Sequence, residues 1–250
     1  LFVGQRQMCI RDSGTLANNF WPAFGNTLFF TLVTVLLETI LGIGMALVMA
    51  KDFHGRGLLR AAVLVPWAIP TAITAKLWAF LFSEQGIVNS IFHAHVAWQT
   101  DPWAARFSII LADVWKTTPF MALLILAGLQ MIPKDLYEAA RMDGANAWQR
   151  FTRITLPLAK NSIIVAVLFR MLDALRMYDL PYIMVGPNPD SPTATLSQLV
   201  VAAIRQDHVN AASALSTLIF LLIFLIALCF VKSLGSKVAH QAEPVVAEEE

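Results

Sequence analysis

Five long stretches of this chain consist almost entirely of apolar residues, and short polar stretches separate them. They run Leu28–Met49, Ala62–Phe82, Phe107–Leu129, Ser162–Met184 and Ala211–Val231. None of them alternates apolar and polar residues with a period of two, so each is predicted to be a helix. A helix of about 20 residues, at about 1.5 Å per residue, spans a hydrocarbon core of roughly 30 Å. The pattern therefore predicts five membrane spans.

The overall composition agrees with that prediction. Apolar residues make up 57% of the 250 residues and charged residues 14%, and the mean hydropathy is +0.63. A soluble chain of this length has too little interior to bury five helices that are apolar all round. We therefore predict an all-α fold, a polytopic transmembrane helix bundle that forms one domain over residues 18–235.

Basic residues are concentrated in alternate connections of the predicted bundle. Lys51, Arg56 and Arg60 follow the first span, and residues 131–160 contain five further lysines and arginines. The positive-inside rule then places these basic connections in the cytoplasm. Residues 83–104 and 185–209 fall outside, and so does the N-terminus.

The two ends of the chain differ from the spans in composition. Residues 1–17 contain no apolar helix and no signal sequence. We expect a non-native or disordered segment there, and one further span upstream of it that begins in the cytoplasm. Residues 236–250 end in three glutamates and are expected to form a disordered acidic tail. Cys9 and Cys229 indicate neither a disulfide nor a metal site, and no motif predicts a cofactor.

The loop at about 131–158 has the signals of two short helices. Pro133 is suited to the start of a helix, and Leu136, Ala139 and Ala140 then share one face. Gly144 is suited to a left-handed turn after that helix. The loop is predicted to form a helix-turn-helix on the cytoplasmic surface, and periodicity alone also permits a hairpin that only anchors the bundle.

The second helix of this loop carries its own start and stop signals. Asn146 is suited to cap it, with Gln149 completing a capping box. Pro157 is predicted to keep Leu156 out of the helix and to restart the next span.

The spacing of this loop resembles a known signature. Glu138-Ala139-Ala140 is followed by three residues, then Gly144, then nine residues, and then Ile154, Leu156 and Pro157. This is similar to the cytoplasmic loop of binding-protein-dependent ABC importer permeases. The resemblance implies the type I ABC importer permease fold and a multi-pass protein of the bacterial plasma (inner) membrane. It also implies a coupling role toward an ATPase for five residues: Glu138, Ala139, Ala140, Asp143 and Gly144.

The same resemblance implies partners. The chain contains no G-x-x-x-x-G-K-[ST] stretch, so ATP would be hydrolysed by two copies of a separate ATPase subunit. A second homologous permease subunit and an extracytoplasmic sugar-binding protein would complete the assembly. This chain would then be a transport subunit in contact with membrane lipid, without enzymatic activity of its own and without nucleic acid.

Ionisable residues within the predicted spans are costly in a membrane and mark candidate functional positions. They are Glu38, Lys76, Asp113, Lys116, Arg170, Asp173, Arg176 and Asp179. The last four follow one another at intervals of three with alternating sign, so a helix would bring them together as a neutral ladder. One interpretation is an ion-paired ladder that only fixes helix packing.

A second interpretation is that part of this set lines a substrate path. Aromatic rings suit the apolar face of a sugar, and bidentate polar groups suit its hydroxyls. The candidate pathway residues are Trp115, Lys116, Asp173, Arg176, Tyr178, Asp179 and Tyr182.

A finer resemblance covers roughly residues 18–235. The stretches Trp115-Lys116-Thr117-Thr118-Pro119-Phe120, 168–176 and Tyr178-Asp179 are similar to the carbohydrate-uptake branch of the family. They are most similar to the first permease subunit of trehalose- and maltose-type importers, which implies transport by alternating access. Residues 185–188 depart from the Thr-Gly-Gly turn usual in that branch.

Other functions stay open on the sequence. Pro66 and Pro70 interrupt one span, as in secondary transporters with broken helices, although no inverted repeat is visible. A membrane enzyme with Asp113 or Asp173 as its carboxylate lacks any supporting H-E-x-x-H or G-x-S-x-G motif. Polyols, glycerol phosphate or another oligosaccharide are alternative substrates for an ABC importer.

Overall fold

A computed structural model of the chain describes the backbone of residues 2–93 and 95–239 and the side chains of residues 18–93 and 95–232. Every regular element in that part of the chain is helical. The helices are α1 (Phe2–Ala50), α2 (Arg56–Ala68), α3 (Thr71–Leu81), α4 (Ile87–Phe92), α5 (Pro102–Gln130), α6 (Lys134–Met142), α7 (Ala147–Arg150), α8 (Leu156–Ala174), α9 (Asp179–Met184), α10 (Leu196–Arg205) and α11 (Val209–Ala239), with a π-helical segment at Phe151–Thr155. The predictions for residues 1–17 and 236–250 fall outside the described side chains and stay predictions.

Four of the helical stretches are long and apolar enough to cross a membrane. They are Asn18–Ala50, Pro102–Gln130, Ala147–Ala174 and Val209–Lys232. Helices α2 and α3 pass the same test only as a pair, and they meet at an angle of 87°. The predicted count of five spans is reached when this bent pair counts as one.

The bend between α2 and α3 differs from the straight span that apolarity alone predicts for Ala62–Phe82. Pro70 has no N–H to continue the helix, and it forces the residue before it into extended backbone. Ile69 accordingly has φ −73° and ψ 133°. The chain turns there and restarts as α3.

The fourth span begins and ends earlier than Ser162–Met184. Leu156 is helical, with φ −64° and ψ −45°, so the prediction that Pro157 separates two helices is wrong. The wider π turn at Phe151–Thr155 relieves the clash that a proline ring makes with the preceding turn, and the helix continues through it. At the other end α8 stops at Ala174, and α9 is a separate short helix.

Helix α5 lies at the centre of the bundle, between α1 and α8. Small residues allow the close approach, as is typical of membrane helices. A Cβ atom on Gly42 of α1 would lie 3.1 Å from the Cβ of Met121. A Cβ on Gly128 of α5 would collide with the side chain of Ser162 on α8. Around these contacts Met121 and Ile125 are fully buried.

At one end of the bundle, the connection before α11 is bonded to α1 and α5. The Arg106 guanidinium donates to the Asn26 side chain at 3.1 Å and to the Pro192 carbonyl at 2.9 Å. The N–H of Leu196 donates to Thr27 Oγ1 at 3.0 Å. Helix α10, which the apolar pattern did not predict, follows with a complete capping box from Thr195.

At the opposite end the basic connections meet. Lys134 Nζ, at the start of α6, lies 3.0 Å from Asp52 Oδ2 in the connection after α1. This hydrogen bond, with the charges of Lys134 and Arg56, lowers the pKa of the exposed Asp52 carboxyl below its ordinary value. The loop 131–158 and residues 51–60 therefore share one end of the bundle.

Candidate functional sites

Arg170 is the centre of a buried ion cluster that joins three helices. Its Nε donates to Glu38 Oε2 of α1 at 2.5 Å, and its Nη2 donates to Glu38 Oε1 at 3.0 Å. Nη2 also donates to Asp113 of α5, and Nη1 donates to Asp173 at 3.1 Å. Thr117 Oγ1 lies 2.6 Å from Glu38 Oε1. Removal of one buried partner from such a cluster leaves an uncompensated charge, which is strongly destabilising.

The cluster differs from the ladder that the spacing predicts. Two steps of the ladder are present, since Asp173 pairs with Arg170 at 3.1 Å and with Arg176 at 3.9 Å. Asp179 belongs to α9, so it cannot continue the ladder along α8. The main partners of Arg170 come from other helices, which spacing along one helix cannot reveal.

A cavity of about 140 Å³ lies beside this cluster. It is lined by Thr71, Asp113, Lys116, Thr117, Arg170, Asp173, Arg176, Met177, Tyr178, Asp179 and Leu180. Five of the seven candidate pathway residues are thus brought together. The lining residues carry three carboxylates and three cations, so the charges on the wall balance.

The other two candidates, Trp115 and Tyr182, are absent from this lining. The Trp115 ring packs edge-on against Trp78 with centroids 5.8 Å apart. Tyr182 stacks on Tyr178 at 4.9 Å, and its hydroxyl accepts a hydrogen bond from Arg205. Tyr182 therefore packs against Tyr178, which lines the cavity.

Lys116 lies at the bend between α2 and α3. Its side chain projects from α5, and the residue is 8% exposed. Nζ donates to the carbonyl of Ile69 at 2.6 Å and to that of Trp67 at 3.4 Å. Spacing along the sequence pairs Lys116 with Asp113 instead. The sequence signal for these contacts is the pair Pro66 and Pro70, since prolines leave backbone carbonyls without their helical donors.

The loop 131–158 has the turn that its sequence predicts. Gly144 has φ +76°, its N–H donates to Arg141 O at 3.0 Å, and the N–H of Ala145 donates to Ala140 O at 2.9 Å. These two bonds form a Schellman motif, which closes the C-terminus of α6. Asn146 and Gln149 form the predicted capping box of the next helix.

The candidate coupling residues are presented on this loop. Glu138, Ala139, Asp143 and Gly144 are exposed, and Ala140 is half-buried. Their helix α6 is fixed to the π-helical segment by a 3.0 Å hydrogen bond between the hydroxyls of Tyr137 and Thr155. Glu138 also lines a cavity of about 880 Å³ between the loop and the connection after α1.

Comparisons with known proteins agree with this geometry. The family described as "Binding-protein-dependent transport system inner membrane component" matches residues 38–240. The trehalose/maltose transport system permease protein MalF of Thermococcus litoralis is 44% identical over 221 residues, which is 86% of this chain and 75% of that protein. The trehalose transport system permease protein SugA of Mycobacterium tuberculosis is 39% identical over 219 residues, 87% of this chain and 71% of that protein.

A solved structure shares the fold. The crystal structure of a bacterial ABC transporter involved in the import of the acidic polysaccharide alginate matches with a TM-score of 0.78 and 25% identity. The match covers 90% of this chain and 80% of that chain. The all-α type I importer permease fold is thereby confirmed.

Proposed function

Because this chain belongs to the family of binding-protein-dependent transport system inner membrane components, we propose that it is the permease subunit of an ATP-driven importer of a neutral di- or oligosaccharide. Two relatives named as trehalose or trehalose/maltose permeases support the sugar class. The observation that carries the proposal on this chain is the charge-balanced cavity beside the Arg170 cluster.

The balance of charge in this cavity favours a neutral sugar over an acidic one. Asp113, Asp173 and Asp179 line it together with Arg170, Lys116 and Arg176. An anionic sugar needs a cation that is free to pair with it. The two buried cations, Arg170 and Lys116, already have oxygen partners, and the exposed Arg176 has a carboxylate, that of Asp173, at 3.9 Å. Hydroxyl groups of a neutral sugar can instead bond to carboxylates and ammonium groups at once.

We also propose the assembly, which the description of the family supports. A second homologous permease would complete the pathway, two ATPase subunits would dock on the loop 131–158, and an extracytoplasmic binding protein would deliver the sugar. The setting would be the bacterial plasma membrane. Transport would proceed between two states that differ in which end of the pathway is closed, with ATP binding and hydrolysis on the partner shifting the population.

The test is uptake of trehalose and maltose into proteoliposomes that contain the complete transporter, its binding protein and internal ATP. Tyr178→Ala and Asp179→Asn should reduce uptake by about tenfold or more, since a hydrogen bond to a charged group contributes about 1.5–3 kcal/mol and about 1.4 kcal/mol is tenfold. Assembly of the complex should be unchanged.

Asp207→Asn is the matched control. It makes the same chemical change at an exposed outer position with φ +60°, a conformation that asparagine tolerates. Equal uptake by the Asp179→Asn and Asp207→Asn transporters for every sugar would exclude the cavity from the pathway.

A further inference from the structure

The bend between α2 and α3 leaves backbone carbonyls without helical donors, which is costly inside a membrane. In a continuous helix the N–H of residue 70 would bond to the carbonyl of Pro66, and Pro70 has no N–H. The extended backbone at Ile69 then turns the chain away, so the last carbonyls of α2 have no donor from the helix. Within a bilayer, non-helical backbone persists only where protein or a polar cavity satisfies it.

The ammonium group of Lys116 supplies hydrogen-bond donors at this bend. From the neighbouring helix α5 it donates to the carbonyl of Trp67, near the end of α2, and to that of Ile69, the residue that follows α2. The stacking of Trp67 on Phe120, with centroids 5.5 Å apart and planes 13° from parallel, holds α2 against the same face of α5. Lys116 is thus fixed at the C-terminal, partially negative end of a half-helix, where a cation is favoured.

Broken helices of ion-coupled carriers present the same chemistry to a different cation. There, unwound carbonyls and half-helix C-terminal ends coordinate a free Na⁺ or H⁺. We propose that Lys116 is a positioning residue whose tethered ammonium takes the place of such a free cation and fixes the corner of the broken span. The corner therefore needs no coupling ion, which distinguishes this bundle from an ion-driven carrier.

The bend between α2 and α3 also contributes to the wall of the cavity. Thr71, the first residue of α3, lines the cavity together with Lys116. Asp113 and Asp173 line it too, so their carboxylates lie on the same cavity wall as the Lys116 ammonium. Loss of the ammonium would release α3 and leave the carboxylates without one of their counter-charges, so both the cavity wall and its charge would change.

Three substitutions of Lys116 test this in the assembled transporter. Lys116→Arg keeps a cation, Lys116→Met keeps the volume of the stem without charge, and Lys116→Ala leaves a space. The measurements are thermal stability of the purified complex and sugar uptake, each in choline, Na⁺, K⁺ or methylammonium buffers. The stability measurement does not depend on the proposed function, whereas uptake rests on it.

The three variants are expected to differ from one another in stability and uptake. Lys116→Met should lose stability and uptake in every buffer, Lys116→Arg should retain most of both, and Lys116→Ala should recover at least several-fold in a small cation relative to choline. The wild type should not distinguish the cations. If Lys116→Ala cannot be purified in any buffer, success with Lys116→Arg and failure with Lys116→Met still support the proposal.

The proposal is overturned if Lys116→Met matches the wild type, or if Lys116→Arg fails as completely as Lys116→Met with no cation effect on Lys116→Ala. If the variants show the expected order of stability but the wild-type transporter takes up no sugar, the proposed function is contradicted instead.

Discussion

Glu38 is the side chain on which the central ion cluster depends most. It is fully buried on α1 and takes two of the five N–H groups of Arg170, whereas the side chain of Asp173 is 63% exposed. Water can replace Asp173 as a partner of the guanidinium, but it cannot reach Glu38. Removal of Glu38 therefore leaves buried N–H groups of Arg170 without a partner, whereas water can replace Asp173.

Glu38→Ala should lower the stability of the permease by about 3–5 kcal/mol, the cost of breaking a buried ion pair. Asp173→Asn should cost less than about 1 kcal/mol, as for an exposed pair. The measurement is thermal unfolding of the two variants in detergent. Equal losses would show that burial does not separate the two contacts.

At the level of helices, the close contact of α5 with α8 depends on the absence of one side chain. Gly128→Ala should destabilise the bundle, because the added Cβ collides with Ser162 and the helices must separate. Gly25→Ala on α1 is the control, since a Cβ there meets no atom within 4 Å. Thermal unfolding of both variants should show a loss for Gly128→Ala alone, and the contact is unimportant if the two melt together.

The turn after α6 is the second element that rests on a glycine. Gly144→Val places a β-branched residue at φ +76°, which costs about 1–3 kcal/mol locally, so α6 should lose its position. Membrane insertion should persist while ATP-driven uptake falls. Gly144→Asn should retain much of the uptake because asparagine tolerates this conformation. Normal uptake and normal ATPase stimulation with Gly144→Val would refute this account of the loop.

Local signals in the sequence predicted local structure well. Gly144 predicts a left-handed turn and Asn146 with Gln149 predicts a capping box, and the structure has both. The apolar stretches predict the number of spans when the bent pair of α2 and α3 counts as one. The prediction that Pro157 keeps Leu156 out of the helix was wrong, because a π-helical segment accommodates the proline and the helix continues.

Long-range contacts were beyond these signals. Glu38 and Arg170 are 132 positions apart, and periodicity only reports which residues share a face of one helix. Lys116 was predicted as a pathway residue from its type, but its bonds to Trp67 and Ile69 depend on how α5 crosses the broken span. The resemblance to sugar permeases of the family is confirmed by the relatives.

Across the whole molecule, one continuous helical stretch connects the two candidate sites. Residues Ala147–Ala174 run from the loop that carries Glu138 to the cluster around Arg170 without a break. A helix is stiff along its axis, so an ATPase that docked on the loop, as proposed, and displaced α7 would also move Arg170 and Asp173 at the cavity. The continuity through Pro157 therefore links the loop 131–158 to the wall of the cavity.

The same arrangement predicts that the two ends of the bundle respond differently to charge. Glu138 is exposed on α6 and lines the cavity of about 880 Å³ at the end with the basic connections. If the ATPase docks there, Glu138→Lys should weaken its binding by about 2–5 kcal/mol, the range for disrupting a charge pair at an interface. Co-purification of the ATPase with the membrane complex is the measurement. Glu84→Lys makes the same reversal at an exposed position near α4, at the opposite end, and should leave the yield of ATPase unchanged. Undiminished ATPase with Glu138→Lys, or an equal loss with Glu84→Lys, would mean that the docking surface lies elsewhere on the bundle.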